Sequence, residues 1–359
     1  MNKEEQKLKV LQMLKEDMIT QEQALDLLEL IASETKVSEN NQSNEVKKEE
    51  NTTSMVQPQQ PYDFFGNGHQ LFKIEKTVDL DNFKSLKLIG KNSHIKVSTH
   101  LKRTIEINGW YKQSRHNDPM ICFDENNGNY QLSYNYHGVK YLGCEVMIPE
   151  TFLSLLAIEN SNAAVSLNNI NSSEIFVKTK NAQIELSKCQ SDVLTGITKN
   201  SHINLIKYRG ARVELVTTNA RIFVKDATAK EAEFRTTNAD ILVQNSHFMK
   251  QSLETKNAQI TLDLMSQAFF EKGHYEIDGR TTNANIEVLL PEGEEVPFRI
   301  NGSTKRGNVV TQEANLVVNA RDRGYLVAES KAFNSSNKKM IFNFQTTNGD
   351  IILKETFFD

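Results

Sequence analysis

A short motif returns along this chain at a fixed 19-residue interval, and this regularity limits the folds available to it. The motif reads Thr-x-Asn-small-x-Ile-x-aliphatic, as in Thr179–Leu186. Further copies contain Asn92, Asn283 and Asn348. A repeat of constant length is typical of architectures in which similar units stack on one another. The asparagines of the unbroken 19-residue series are Asn162, Asn181, Asn200, Asn219, Asn238 and Asn257.

The length of the repeat and its apolar pattern favour a β-solenoid. Ile222 and Val224 are apolar and two residues apart in the copy that contains them, which is the period of a strand and not of a helix. Nineteen residues are too few for a four-stranded propeller blade, but they suit one coil whose strands pair in parallel with the next coil. The sequence therefore predicts a mainly β protein, a parallel β-solenoid or single-stranded β-helix with 19-residue coils.

Each repeated asparagine lies between two predicted strands, where the chain has to turn a corner. An amide side chain donates and accepts hydrogen bonds and tolerates a left-handed backbone conformation. Stacked coils would align the six asparagines of the series in a structural corner ladder, and the small residue after each would leave room at the bend. We therefore interpret the motif as architecture and not as a binding site.

Residues 1–32 predict a small α-helical hairpin. Leucines recur at helical spacing, and a Thr-Gln-Glu-Gln capping box at Thr20 marks the start of the second helix. Helices this short need a packing partner, so we expect an association module through which the chain could also form oligomers. Its candidate partner contacts are Leu11, Leu14, Leu25 and Leu28.

The rest of the chain divides into a linker and the repeats. Residues 33–60 are polar and acidic, which predicts a disordered linker. Residues 61–359 would form the solenoid, with a hairpin insertion near 100–143 whose turn is Asn126–Asn129. We expect the aromatic segments 61–66 and 357–358 to cap the ends of the solenoid.

The charge distribution argues against nucleic acid as a partner. Residues 1–60 carry 7 Lys and Arg against 12 Asp and Glu, so the remaining 35 basic and 34 acidic residues give a nearly neutral body. Such a body lacks the basic footprint of a nucleic-acid binder. No apolar run approaches the roughly 18 residues of a membrane-spanning helix, and the start does not resemble a signal peptide. We expect a cytoplasmic protein that is at most peripheral to a membrane.

No pattern in the sequence indicates catalysis, a metal or a cofactor. The three cysteines, Cys122, Cys144 and Cys189, match no ligand spacing and are expected to be reduced thiols, and the histidines are expected at the surface. Arg221 and Asp240 occupy equivalent outward positions one coil apart, which predicts a weak cross-strand ion pair and not a catalytic dyad. We therefore expect a protein that is not an enzyme.

Several segments resemble a known bacterial family. The strand–proline junctions Cys144–Pro149 and Ile286–Gly293, together with the Asn-Ala-x-Ile coils, resemble the β-strand-repeat putative adhesins of unknown function, of the YvlB/LiaX type. Residues 11–28 resemble the small helical domain that precedes the solenoid in these Gram-positive proteins. The resemblance implies a role in the cell-envelope stress response beside phage-shock-type membrane proteins, and sensing of cationic antimicrobial peptides in LiaX-like relatives. It supplies no catalytic residues.

Three functions follow as hypotheses. The first is a non-catalytic scaffold or sensor of envelope stress that binds a membrane-associated protein partner, with an antimicrobial peptide as a second candidate ligand. The second is a self-assembling, bactofilin-like polymer, which predicts filaments. The third is a carbohydrate-active enzyme, which predicts carboxylates clustered on one outer face of the solenoid.

Overall fold

The computed structural model describes seven segments of the chain, all within the unit formed by residues 65–359. The predicted hairpin at 1–32 with its four leucines, the linker at 33–60 and the aromatic segments 61–66 and 357–358 lie outside them. The described residues are 72–79, 82–113, 121–134, 139–264, 273–290, 297–312 and 316–355.

These segments contain 27 strands and no helix. The strands are β1 (Phe72–Asp79), β2 (Ser85–Ile89), β3 (Ser93–His100), β4 (Thr104–Gln113), β5 (Ile121–Asn126), β6 (Asn129–Tyr134), β7 (Val139–Pro149), β8 (Leu153–Glu159), β9 (Val165–Asn168), β10 (Asn171–Lys178), β11 (Ile184–Ser187), β12 (Gln190–Ile197), β13 (Ile203–Ile206), β14 (Arg209–Val216), β15 (Ile222–Lys225), β16 (Thr228–Arg235), β17 (Ile241–Gln244), β18 (His247–Glu254), β19 (Ile260–Asp263), β20 (Gly273–Arg280), β21 (Ile286–Leu290), β22 (Phe298–Ser303), β23 (Val309–Thr311), β24 (Leu316–Asp322), β25 (Tyr325–Ser330), β26 (Lys338–Gln345) and β27 (Ile351–Glu355).

Two long sheets make up the body, which confirms the prediction of a mainly β protein with stacked parallel strands. Sheet A has the order β1-β4-β7-β3-β9-β11-β13-β15-β17-β19-β21-β27-β23. Sheet B has the order β24-β25-β22-β26-β20-β18-β16-β14-β12-β10-β8-β2-β6-β5. Between β9 and β19, each short strand of sheet A pairs in parallel with the next short strand along the chain, for example β9 with β11. The long strands of sheet B pair in the same way, for example β10 with β12.

One regular coil accounts for the 19-residue repeat. It consists of the eight-residue strand β10, a corner at 179–183, the four-residue strand β11 and a two-residue turn before β12 begins. Side chains alternate between the two faces of each strand, so Ile175 and Val177 in sheet B, and Ile184 and Leu186 in sheet A, all point into the space between the sheets. Their near-complete burial, repeated coil after coil, forms one continuous hydrophobic core.

Both ends of the solenoid contain a coil that is out of sequence order. The coil of β2 and β3 lies between that of β6 and β7 and that of β8 and β9. At the other end, the coil of β26 and β27 lies between that of β20 and β21 and that of β22 and β23. The coil of β2 and β3, near the start of the described chain, and the coil of β26 and β27, near its end, therefore each lie between two other coils.

Antiparallel strands form three of the four sheet edges among the described strands. In sheet A, β4 pairs antiparallel with β7 and β1 with β4, and in sheet B β5 pairs antiparallel with β6. At the opposite end of sheet B, β25 and then β24 add antiparallel strands to β22. Among the described strands, the sheet edges are therefore the antiparallel strands β1, β5 and β24 and the three-residue parallel strand β23.

The segment near 100–143, predicted to be a hairpin insertion, is built into both sheets. β5 and β6 form an antiparallel hairpin through Asn127 and Gly128, whose φ angles of 52° and 83° are left-handed. β6 and β7 then form a complete coil in parallel with β2 and β3. The segment therefore contributes strands to both sheets at one end of the solenoid.

Candidate functional site

The asparagines of the repeat form a hydrogen-bonded ladder along one edge of the solenoid. Asn181 Nδ2 donates to Asn162 Oδ1, and the same bond recurs through the series to Asn257 at distances of 2.7 to 2.9 Å. The out-of-order coils extend the ladder to Asn92 at one end and to Asn348 at the other. The row is exposed, so its polar groups are fixed in position and also open to a partner.

A column of threonines lies buried directly behind this ladder. Thr236 Oγ1, for example, donates to the carbonyl oxygen of Ala220 in the preceding coil over 3.2 Å, and Thr346 makes the equivalent bond to Ala284 over 3.1 Å. The hydroxyl groups therefore donate hydrogen bonds to carbonyl oxygens of the corner, which have no partner in the strand ladders. Sequence reasoning assigned no role to this threonine, although its position was part of the motif. The column comprises Thr179, Thr198, Thr217, Thr236, Thr255, Thr281, Thr304 and Thr346, each between 2 and 7% exposed.

Left-handed backbone conformations lie at the opposite corner of the regular coils. This corrects the expectation that the asparagines of the ladder would adopt them. None of the six asparagines of the series has a positive φ. The ladder corner is held by backbone bonds to the previous coil, such as that from Asn200 N to Lys180 O over 3.0 Å. The positive φ angles recur at 19-residue intervals in the turns from sheet A to sheet B, with values of 44 to 60°. They belong to Asn169, Lys188, Lys207, Asp226 and Asn245.

The outward positions beside the ladder carry no catalytic pair. Arg221 Nη2 lies 3.8 Å from Asp240 Oδ2, and both side chains are about half exposed. The pair is the predicted cross-strand ion pair, which in water contributes at most about 1 kcal/mol. His202 Nδ1 accepts a hydrogen bond from Arg221 N over 3.2 Å, so this row is organised by contacts between coils.

Carboxylates do cluster on the outer face of sheet B, in an open groove that also contains two cations. Arg212, Glu231, Lys250 and Glu276 are successive register partners, so the charge alternates from strand to strand. Arg212 also lies 3.6 Å from Glu233 Oε2. Glu231 and Glu233 therefore belong to an ion-paired surface, whereas Glu276 and Asp278 both accept hydrogen bonds from Asn343 Nδ2, over 3.3 and 2.9 Å. The groove is lined by Arg212, Val213, Glu231, Ala232, Glu233, Lys250, Gln251, Ser252, Glu276 and Asp278.

The buried thiols are part of the core. Burial raises the pKa of Cys144 to about 12 and that of Cys189 to about 11, so both stay protonated near neutral pH. Cys189 is 2% exposed and packs in the core. All three cysteines are free, and Cys122 is half-buried. A protonated, buried thiol is a poor nucleophile.

One histidine is not at the surface, contrary to the prediction. His247 is 6% exposed at the start of β18, and burial lowers its pKa to about 4. His94 is half-buried, and burial lowers its pKa as well. His202 and His274 are exposed as predicted. Sequence alone could not place His247, because Thr228, its register partner in the preceding coil, is exposed.

The described segments contain neither a metal site nor a membrane-spanning helix. Within them, no group of three or more His, Cys, Asp or Glu side chains is arranged to hold a metal ion. The same segments include no helix long and apolar enough to cross a bilayer. The surface of the described residues consists of regular rows of side chains on two sheets and along two edges.

Comparison with known proteins fixes the family. The family model Toastrack DUF4097 matches residues 83–358. The chain belongs to this family. Three solved structures that the Toastrack chain resembles are each 10% identical to it: a putative cell adhesion protein from Clostridium sporogenes, a putative adhesin from Bacteroides fragilis and a putative adhesin from Parabacteroides distasonis.

The three structures are covered almost completely by their alignments with this chain. The alignments cover 80% of this chain and 100% of the Clostridium protein, with a TM-score of 0.22. They cover 79% of this chain and 97% of each of the other two proteins, with TM-scores of 0.35 for the Bacteroides protein and 0.37 for the Parabacteroides protein. No curated protein matches the chain.

Proposed function

We propose that this Toastrack protein is a non-catalytic scaffold or sensor of the cell-envelope stress response in a Gram-positive bacterium, at the cytoplasmic side of the membrane, and that it binds a membrane-associated protein. The observation that carries the proposal is the exposed asparagine ladder on its buried threonine column. It presents chemically identical groups at intervals of about 4.8 Å along an edge that hydrogen bonds hold in place. Such a surface is preorganised for an extended partner, because little order has to be imposed when the partner binds.

The described surface supports this role over the two alternatives. Parallel end-to-end stacking into a polymer needs open parallel edges, whereas antiparallel strands or the short strand β23 occupy the sheet edges. An enzyme needs reactive side chains free of structural contacts, whereas Glu231 and Glu233 pair with Arg212, and Glu276 and Asp278 accept hydrogen bonds from Asn343. Neither feature interferes with binding through an edge or a face.

A cationic peptide is a second candidate ligand, and the groove on sheet B is the surface that favours it. Four carboxylates against two cations line this groove, which leaves it net negative. Glu276 and Asp278 would attract a peptide amine or guanidinium group. Titration of a cationic antimicrobial peptide into the wild type and into Glu276→Gln/Asp278→Asn tests the idea, and equal affinities for the two proteins would reject it.

The scaffold role is tested by affinity capture from envelope-stressed cells, with membrane and soluble fractions analysed separately. The baits are the full chain, a chain that lacks residues 1–60, and a full chain in which Leu25 and Leu28 are replaced by serine. Recovery of a membrane protein with the full chain alone would assign the contact to the predicted hairpin. Equal recovery with all three would assign it to the solenoid. The absence of any specific partner in both fractions would overturn the scaffold role.

A further inference from the structure

We propose that the edge opposite the asparagine ladder binds the surface of an anionic membrane directly, through two protruding apolar side chains flanked by cations. We call this edge the basic edge, and define it as the turns at 101–103, 150–152, 169–170, 188–189 and 207–208. It is a contact with lipid and does not depend on which protein partner the scaffold binds.

The structure brings the turns of the basic edge together. β3 and β7 end side by side, and Glu150 N donates to His100 O over 2.8 Å, so the turns 101–103 and 150–152 are neighbours. Asn169 Nδ2 donates to Thr99 Oγ1 over 2.8 Å, which joins the next turn to them. Further turns follow at one coil intervals of about 4.8 Å. The edge is thus continuous from Leu101 to Lys207.

Two large apolar side chains project from one end of this edge. Leu101 is 92% exposed and Phe152 is 56% exposed, the highest values for large hydrophobic residues among the described residues. Both lie in turns, where a polar residue would satisfy the backbone equally well. Leu101 contributes almost nothing to the core, so its apolar character has no explanation within the fold.

Cations surround these side chains. Lys102 and Arg103 follow Leu101 directly, and Lys188 lies in the same groove as Phe152. Lys102 pairs with Glu106 over 2.7 Å. Among the described residues, Arg103, Lys188 and Lys207 form no ion pair, so their charge is available to an anionic surface. The turns that define the edge contain four basic residues and one acidic residue, Glu150, and the next turn in the same row adds Asp226, so the edge is net positive.

The backbone of the two lysines is a second, independent observation. Lys188 and Lys207 have φ angles of 53° and 57°, in the left-handed region that an ordinary side chain adopts at an energetic cost. Asparagine, which tolerates this conformation better, occupies the same position at Asn169 and Asn245, and aspartate occupies it at Asp226. Lysine thus occupies two turns whose backbone conformation favours asparagine, aspartate or glycine, and it places two positive charges on the basic edge.

A lipid surface fits these features better than a protein does. The apolar side chains protrude as isolated tips, and two such tips are far too small for the roughly 800 Å² that each partner contributes to a stable protein interface. A protruding Leu or Phe can insert at any point of a bilayer surface, because insertion needs no matching pocket. An anionic headgroup layer attracts the Lys and Arg side chains that flank the inserted residue. The combination of apolar tips and unpaired cations is the pattern of an interfacial contact.

The test is sedimentation of the full-length protein with protein-free vesicles, made either of phosphatidylcholine alone or of phosphatidylcholine in which one third of the lipid is replaced by phosphatidylglycerol. The wild type should bind the anionic vesicles and not the neutral ones, and salt at about 0.5 M should weaken the binding. Leu101→Ser/Phe152→Ser should lower the partition by about tenfold or more, because two apolar side chains no longer enter the interface. Lys188→Glu/Lys207→Glu should lower it by about fivefold or more.

Matched variants separate this edge from general effects. Val193→Ser/Met249→Ser removes two exposed apolar side chains from sheet B, and Lys180→Glu/Lys199→Glu reverses two lysines one coil apart on the ladder edge. Both controls should bind the anionic vesicles as the wild type does, and circular dichroism should show that all variants are folded. No binding by the wild type, or equal losses in variants and controls, would overturn the proposal. Binding only to native membranes that contain proteins would overturn it in favour of a protein partner.

Discussion

Replacing one buried threonine with valine should destabilise the solenoid more than removing the conspicuous asparagine two residues away. Thr236 is 6% exposed, and its hydroxyl donates to Ala220 O over 3.2 Å. Valine has nearly the same shape but no donor, so Thr236→Val leaves a buried carbonyl oxygen unpaired. Loss of the bond together with that desolvation penalty should lower the free energy of unfolding by about 2 kcal/mol.

Asn238 makes two ladder bonds, one of 2.7 Å to Asn219 and one of 2.8 Å from Asn257. Because the ladder is exposed, water can replace both bonds in Asn238→Ala, and each should contribute only about 0.5 kcal/mol. The loss for Asn238→Ala should therefore be about half of that for Thr236→Val.

Urea denaturation followed by circular dichroism measures both changes. Thr237→Val is the matched control, because this neighbouring side chain is half-exposed, and it should leave the free energy of unfolding within about 0.5 kcal/mol of wild type. A larger loss for Asn238→Ala than for Thr236→Val would refute the reasoning, since it would mean that the exposed ladder and not the buried column holds the corner together.

Further expectations follow from packing and burial. Gly210→Ala should lower stability by about 3 kcal/mol, because the new Cβ would lie 2.1 Å from Tyr208 Oη and 2.2 Å from a backbone oxygen of the neighbouring coil; Tyr208→Phe should fail to rescue it in the same urea assay. The lowered pKa of His247 means that the folded state resists protonation, so stability should be full above about pH 6.5 and fall as the pH drops towards 4, and His247→Phe should flatten this pH profile of thermal unfolding. Thiol titration of the folded protein at pH 8 should modify Cys122 before Cys189, whose pKa is raised to about 11, and faster labelling of Cys189 would contradict its burial.

The sequence was sufficient to predict the regular part of the fold because side-chain alternation and the repeat length are local signals. Ile222 and Val224 show the two-residue period of a strand, and both are fully buried. The corner position of the asparagines could also be read locally. The role of the threonine was missed, because in a motif that contains both residues the pattern does not reveal which one is buried.

The out-of-order coils could not be predicted from the repeat. Asn92 and Asn162 are hydrogen-bonded although 70 positions separate them, and Asn283 and Asn348 although 65 positions do. Every coil offers nearly the same edge to a neighbour, so the motif does not specify which coil stacks on which. The left-handed turns were missed for a different reason, since Lys188 and Lys207 are not residues that the conformation favours.

The placement of the end coils determines how a protein of this kind can change in length. A coil added before β2 or after β27 would have no open parallel edge to join, because both of those strands already have neighbours on each side. A coil duplicated between β9 and β19 would meet two matching neighbours and displace nothing. New 19-residue units can therefore enter only from the middle of the array, and the sequences that form its two ends can stay the same whatever the number of coils between them.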